Sequence, residues 1–250
     1  MGKFTRSRAE NDEPLSAGRV EYLEQARQRA RNKRSRRTAV LLVLLTGIVL
    51  FATGLVGSSV AMAKDFIDTA RIALLPGAGW PQQTGVSEVP QVESLTGSVV
   101  ELGKEGCVVY SRSGKKLNSI QSGYARPALA AGKNRFVLYN RSGNELRVES
   151  RTQNLYTKTM ENSITLCAMA DNGTLAVVTE DPGSAARLRV YSSSMEQLLS
   201  WSLTIADGTP LRLAFSPDGR RLAVAAVPVT GGQMVANFYV VALAPGDPMQ

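Results

Sequence analysis

Three aspartates in loop-like phrases, Asp171, Asp181 and Asp218, and two cysteines, Cys107 and Cys167, are the side chains of this sequence best suited to chemistry. Carboxylates can build a calcium site or an acid/base pair, and cysteines can act as nucleophiles, metal ligands or disulfide partners. The sequence contains no histidine. That excludes serine or cysteine triads built on imidazole, and histidine metal sites. Each aspartate also stands where a tight turn calls for one, so turn formation accounts for all three, with a calcium or paired-carboxylate site as the sharper alternative. Cys107 and Cys167 lie inside the apolar phrases GCVVY and TLCAM and read as small core residues. A disulfide between neighbouring repeats is the other arrangement open to them. Aromatic residues make up only 6% of the chain and no Asp-box phrase occurs, which argues against the aromatic-lined mouth of a propeller glycosidase. No glycine-rich phosphate loop follows a strand and opens a helix. The sequence therefore assigns no catalytic, cofactor-binding or metal-ligating residue and implies no cofactor.

Four tyrosines, Tyr110, Tyr139, Tyr191 and Tyr239, recur at the ends of or within strand-like phrases. They form either a ligand ring around a central channel or, since repeated positions repeat their packing, regular contacts between repeats. Arg112 and Arg141 fall in the paired turns SRSG and NRSG and read as solvated loop charges.

The elements that would position these residues alternate with period two. In Leu211 to Phe215 and Leu222 to Ala226, every second side chain is apolar, so one face of each strand points into a core. Between them, Ser216-Pro217-Asp218-Gly219 supplies a proline that presets φ and a glycine that accepts positive φ, the chemistry of a hairpin turn. The same phrase recurs in LCAMADNGTLAVVTED (Leu166 to Asp181) and ALAAGKNRFVLYNRSG (Ala128 to Gly143). Their turn glycines, Gly132, Gly173 and Gly219, are 41 and 46 residues apart. That period fits a four-stranded propeller blade of roughly 40 to 50 residues. A second pair of phrases repeats too, CVVYSRSGKKL against FVLYNRSGNEL, which a single sandwich has no need of. The expected strands are Leu166 to Met169, Leu175 to Thr179, Leu188 to Ser192 and Leu198 to Leu203 in one blade. Leu211 to Phe215, Leu222 to Ala226 and Asn237 to Leu243 follow in the next, with no fourth. About three and a half blades are expected, fewer than a typical closed ring.

The amino-terminal quarter is different. Residues 1–37 hold eleven Lys or Arg against five Asp or Glu, whereas residues 64–250 hold eighteen against sixteen. The net charge of +8 therefore belongs mostly to a tail, which weakens a nucleic-acid reading of the whole chain. Thr38 to Ala63 follows with twenty-six residues and no charge. As a helix it would extend about 39 Å, enough to cross a hydrocarbon core of about 30 Å. Positive residues near a span stay cytoplasmic, so the cluster Arg27 to Arg37 predicts the amino end inside and the carboxyl part outside. Ala61-Met62-Ala63 also fits a signal-peptidase pattern, so a cleaved signal is the alternative to an anchor. Phe66, Ile67, Ala70 and Leu74 then lie at helical spacings, predicting a short amphipathic helix that extends the span or lies along the interface. The region Pro76 to Gln91 reads as a linker, with Trp80 either at the headgroup level or packed on the rim of the following domain.

The arginine-rich tail, the apolar stretch, GAGWP at Gly77 to Pro81, YARPALAAGKNRFVLYNRSGNELRVES and ITLCAMADNGTLAVVTED together resemble an uncharacterised family of membrane-anchored β-propeller proteins from Firmicutes. The resemblance runs from about Arg27 to the end and is most specific from Tyr124 to Glu180. It implies a propeller held at a membrane and, because members of that family continue further, additional carboxyl-terminal blades. No activity is assigned to the family, so the resemblance implies no catalytic residue. SPDGRRLA alone is similar to the repeat of TolB-like and WD40-like propellers.

The expected fold class is thus an all-β propeller-like repeat domain, partial in this chain, behind one amino-terminal transmembrane helix. Its parts are a basic cytoplasmic tail (1–37), a transmembrane signal-anchor helix (38–63), a juxtamembrane helix and linker (64–91) and an extracytoplasmic partial propeller (92–250). The functional expectation is a non-catalytic binding or scaffold module at the cell membrane. Its partner would be a protein or cell-envelope component, and not nucleic acid. The alternative is an envelope enzyme of glycan hydrolase or lyase type whose catalytic blades lie outside this chain.

Overall fold

The computed structural model describes residues 65, 67–72, 74, 76–86, 88–230 and 233–243, all within the compact unit Gly57–Gln250. The expected tail and span, 1–37 and 38–63, lie outside the described residues. Among the described residues, no helix is long and apolar enough to cross a membrane.

Residues 65, 67–72 and 74 are helical (α1), and everything after residue 90 is built from strands. Three four-stranded antiparallel meanders follow one another: β1 to β4 (Gln91–Leu95, Ser98–Leu102, Gly106–Ser111, Lys116–Gln121), β5 to β8 (Pro127–Ala131, Arg135–Asn140, Glu145–Ser150, Asn154–Thr159) and β9 to β12 (Ile164–Met169, Leu175–Thr179, Ala186–Tyr191, Gln197–Leu203). A fourth sheet has three strands, β13 (Thr209–Phe215), β14 (Arg221–Val227) and β17 (Asn237–Ala242). A two-stranded hairpin, β15 (Val229–Thr230) with β16 (Gln233–Met234), sits in the β14–β17 connection, where the sequence pattern gave no sign of it. Among the described residues there are thus three full blades and three strands of a fourth, the number of strands expected in the last blade.

The first strands β1, β5, β9 and β13 lie successively side by side, so each sheet is a blade with its first strand innermost. Middle strands are covered on both faces by neighbouring blades, which is why RFVLYN of β6 and LAVVT of β10 are apolar almost without interruption. Outer strands β4, β8 and β12 instead mix exposed and covered positions. A register shift between third and fourth strand recurs at one place in each full blade: Val109/Tyr110, Val148/Glu149 and Val190/Tyr191. Three clusters join the blades. Val100, Val109 and Phe136 close blades 1 and 2, Val137, Leu146 and Leu175 close blades 2 and 3, and Val178, Leu188 and Leu222 close blades 3 and 4. On the far side of the fourth blade, Phe238 and Val240 of β17 are 77% and 71% exposed.

The repeated glycines reach one turn by two different routes. Gly173 and Gly219 have φ of +85° and +68°, as a turn closing with positive φ requires. Gly219 donates its N–H to Ser216 O at 2.8 Å, and Ser216 Oγ donates to Asp218 at 2.5 Å. Gly132 is not in that region; a Cβ there would instead collide with the carbonyl oxygen of Ala170 in the next blade. Period and residue type are shared, but the constraint at Gly132 is close approach between blades.

Phe136→Ala, which empties a fully buried position in the first inter-blade cluster, should cost about 3 to 5 kcal/mol. Gly219→Ala should cost about 1 to 2 kcal/mol, from positive φ and the collision of its Cβ with the Asn172 side chain. Urea unfolding of the two variants, followed by circular dichroism, checks both the sizes and their order.

Candidate functional site

In an antiparallel meander the turns after the first and third strands lie at one end of the blade. The turn after the second strand and the link to the next blade lie at the other. The two ends of this propeller differ in charge, in partners and in what covers them.

At the first end, two arginines stand where strands begin or have just ended. Arg135 opens β6 and Arg151 follows β7, and their side chains are only 5% and 1% exposed. Two cations so close to burial need counter-charge and a full set of acceptors. Helix α1 provides much of both. Arg135 Nε donates to both carboxylate oxygens of Asp65, at 3.1 and 3.3 Å, and Nη1 donates to Ser193 O at 2.9 Å. Arg151 Nη1 donates to Thr96 O at 2.9 Å, and Nη2 donates to Thr69 Oγ1 at 2.7 Å and Asp65 O at 3.2 Å. Asp68 lies 3.7 Å from Arg151 Nη2 and accepts a hydrogen bond from Thr152 Oγ1 at 2.8 Å. Burial pushes the Arg151 guanidinium down, while Asp68 and Asp65 oppose that shift. Asp65 and Asp68 are three residues apart, so both reach one face of α1, and Ile72 completes that face at 6% exposure. Gly173 packs beside Ser193 and the Arg135 side chain. Thr69, Ile72 and Arg151 also line a groove of about 650 Å³ that runs between α1 and the first blade past Leu74 and Pro76.

At the opposite end, an open cleft of about 610 Å³ lies between blades 2 and 3, lined by Asn144, Glu161, Asn162, Ser163, Glu180 and Asp181. Its lining carries three carboxylates and no cation, although Glu161 accepts a hydrogen bond from Arg189 Nη2 at 3.0 Å. Asp181 is likewise paired with Arg187 at 3.1 Å, so the cleft is polar with most of its carboxylate charge balanced.

The residues singled out by type do not converge. Asp181 accepts from Ser184 Oγ at 2.6 Å and Arg187 Nη2 at 3.1 Å, and these partners, Ser184 first, hold its carboxyl below the usual range. Asp218 is held low in the same way by Ser216 and the Arg220 amide. Asp171 is exposed in the β9–β10 turn, at the end of the blade opposite Asp181. Among the described residues no group of three His, Cys, Asp or Glu is placed to hold a metal. Cys107 and Cys167 are free thiols in different inter-blade clusters, so the disulfide alternative falls. Tyr139 and Tyr191 lie in the cluster between blades 2 and 3, and Tyr239 packs edge-on against Trp201 at 5.2 Å. Tyr110 meets Trp80 at 5.8 Å on the other face of blade 1. These are packing positions and not one ring. Trp80 Nε1 donates to Arg112 O at 3.0 Å, which seats Trp80 on the rim of blade 1. The side chains of Arg112 and Arg141 are exposed.

Residues 80–240 match the model of a family described as "Family of unknown function (DUF5711)". The chain belongs to DUF5711. No curated protein matches it. Among solved structures, KlAtg21, in its complex with the coiled coil of AgAtg16, is 14% identical with a TM-score of 0.50, covering 66% of this chain and 54% of that one. Hsv2 of Kluyveromyces lactis is 15% identical with a TM-score of 0.46, over 62% of this chain and 48% of that one. The amino-terminal domain of Nup159 is 17% identical with a TM-score of 0.43, over 66% and 49%. The DUF5711 chain thus spans about half the length of these solved structures. The likeness is one of fold, a propeller-like arrangement of antiparallel blades.

Sequence reasoning missed the clamp. Asp65 and Asp68 were visible only as charges beyond the apolar stretch, and Arg135 and Arg151 only as interruptions of strand phrases. Nothing local links residues 70 to 86 positions apart.

Asp65→Asn combined with Asp68→Asn should weaken seating of α1 by about 2 to 4 kcal/mol, because both guanidiniums stay buried after losing their counter-charge. Tryptic cleavage after the exposed Arg71 should then accelerate by on the order of a hundredfold while the blades stay folded. The cysteines give a second test. Burial, and then Glu149, push the Cys107 thiol from 9.0 up to about 12, and burial alone drives Cys167 well above its usual value. Both should resist a thiol-alkylating reagent at mild alkaline pH and react once the protein is unfolded. The contribution of Cys107 to stability is complete below the unfolded-state value and is lost as pH rises from about 9 toward about 12, because only the unfolded thiol ionises there, and Cys167 acts in the same direction.

Proposed function

We propose that this DUF5711 chain is a non-catalytic binding module held at a membrane. In this reading residues 1–37 are cytoplasmic and 38–63 form a single span. Residues 64–91 lead away from the bilayer, and the propeller from residue 92 onward stands outside the cytoplasm. The observation that carries the reading is the seat of α1. Asp65, the first described residue of the helix, stands two residues after the twenty-six-residue uncharged stretch, and with Asp68 it locks the helix into one end of the propeller. The membrane-proximal chain thereby occupies that end and leaves the opposite one, with its cleft of about 610 Å³, for a protein or cell-envelope partner. A binding role also suits the aspartates, whose lowered carboxyls are accounted for by turn partners. The similar KlAtg21 structure is itself that of a complex with a protein coiled coil.

A reporter active only outside the cytoplasm, fused after Gln250, should be active, and one active only inside should be silent. Replacing Arg31, Lys33, Arg34, Arg36 and Arg37 by neutral residues should weaken that preference. A photo-crosslinking residue at Asn162, in the cleft, should give partner adducts that the same residue at Asn118, on the outer strand of blade 1, does not. Activity of the cytoplasmic reporter alone would overturn the location, and adducts at Asn118 but not Asn162 would move the binding surface to the rim.

A further inference from the structure

Helix α1 buries Ile72 together with two carboxylates and leaves other apolar side chains in the open. A surface helix normally buries its apolar stripe and exposes its charges. Here the charged residues Asp65 and Asp68 face inward onto Arg135 and Arg151, while Ile67 and Leu74 stand 65% and 84% exposed. Ile67 and Leu74 are seven residues apart, about two turns, and therefore share one outward face, with Ala70 and Arg71 also exposed between them. The clamp fixes this orientation, since turning the apolar face inward would strip two buried guanidiniums of their carboxylates.

The surroundings are polarised in the same sense. At this end of blades 1 and 2, the turns are Thr96-Gly97, Arg112 to Lys115, Gly132 to Asn134 and Arg151 to Gln153. They contain Arg112, Lys115 and Lys133 beside the clamped Arg151, and no acidic residue. The corresponding turns of blades 3 and 4 carry Asp171, Glu196 and Asp218 against one cation, Arg220, so they lack the excess of positive charge. An exposed apolar helix face with a basic collar on one side of it is the surface that an anionic bilayer fits. Apolar side chains enter the boundary between headgroups and acyl chains, and each nearby cation gains from the negative surface potential.

We propose that this end of the propeller rests on the membrane, tilted toward blades 1 and 2. Ile67 and Leu74 enter the headgroup boundary, and Arg71, Arg112, Lys115 and Lys133 lie against anionic phospholipid headgroups. The proposal rests on the anchored reading above and adds to it a second, lateral contact with lipid. The uncharged stretch ends at Ala63, two residues before α1, so the chain itself delivers this face to the bilayer surface. The opposite end, with Asn162 and Glu180, then points away from the membrane.

The test uses the full chain reconstituted into vesicles of phosphatidylcholine, with or without phosphatidylglycerol. Single substitutions Leu74→Cys, Lys133→Cys, Asp218→Cys and Asn162→Cys each carry an environment-sensitive fluorophore, and the native thiols are buried. Flotation of the chain with the vesicles is measured alongside. Spin-labelled lipid should remove most of the emission from the Leu74→Cys label in both vesicle types. It should do so for the Lys133→Cys label only when phosphatidylglycerol is present. Labels at Asp218→Cys and Asn162→Cys should lose little. If the chain floats but the Leu74→Cys label responds only to an aqueous quencher, the lateral contact is wrong and the anchor stands. If Lys133→Cys is quenched equally with and without phosphatidylglycerol, recognition of anionic headgroups is wrong. Equal quenching at Asp218→Cys and Lys133→Cys would remove the tilt. A chain that does not float overturns the anchored reading and this proposal with it.

Discussion

Two arginines buried at one end of a propeller are an electrostatic demand that the blades do not meet by themselves. Arg135 reaches Ser193 O within the blades, and Arg151 reaches Thr96 O, while Asp65 and Asp68 of α1 bring carboxylates to them. Moving an ion from water into a protein interior costs several kcal/mol unless it is paired and hydrogen-bonded. Asp65 and Asp68 supply that pairing from outside the repeat array, and Thr69 and Thr152 add hydrogen bonds to it. The helix is therefore part of the domain's charge balance, and its orientation follows. Once the acidic face must point inward, Ile67 and Leu74 must point out.

That constraint divides the molecule into two unlike ends. One gathers the clamp, the groove beside Ile72 and the basic turns of blades 1 and 2. The other is made of the links between blades and the turns after second strands, and carries a polar cleft between blades 2 and 3. Even identical blades place different turns at the two ends of a propeller. Here an element outside the repeats adds to that difference.

The blades hold together by a different principle. Each contact between them is a sheet-on-sheet apolar interface, and the fully buried central strands β6 and β10 serve two such interfaces at once. The recurrent register shift between third and fourth strands, and the close approach that forces glycine at position 132, show the same local solution adjusted to each neighbour. The thiols of Cys107 and Cys167 belong to this packing. Their burial in separate clusters makes them filler and not chemistry.

The repeat was legible in the sequence because it is local. Period-two alternation set the strands, Ser216 to Gly219 and Asp171 to Gly173 encoded their turns, and a spacing of 41 and 46 residues announced blades. The expected strands Leu175 to Thr179 and Leu198 to Leu203 agree closely with β10 and β12. The hairpin β15–β16 escaped, because two-residue strands carry no period to detect. The helix, too, was visible in the spacing of Ile67, Ala70 and Leu74, but not the face it would bury. Apolar periodicity marks a stripe and leaves open what the stripe meets. Whether that stripe or the acidic one turns inward depended on Arg135 and Arg151, which reach α1 across 70 and 86 residues of sequence. Alternation and turn chemistry act over a few residues and can be read from the chain. The pairing of buried charges acts through space, so only the tertiary structure decided which end of the propeller is closed and which is left open.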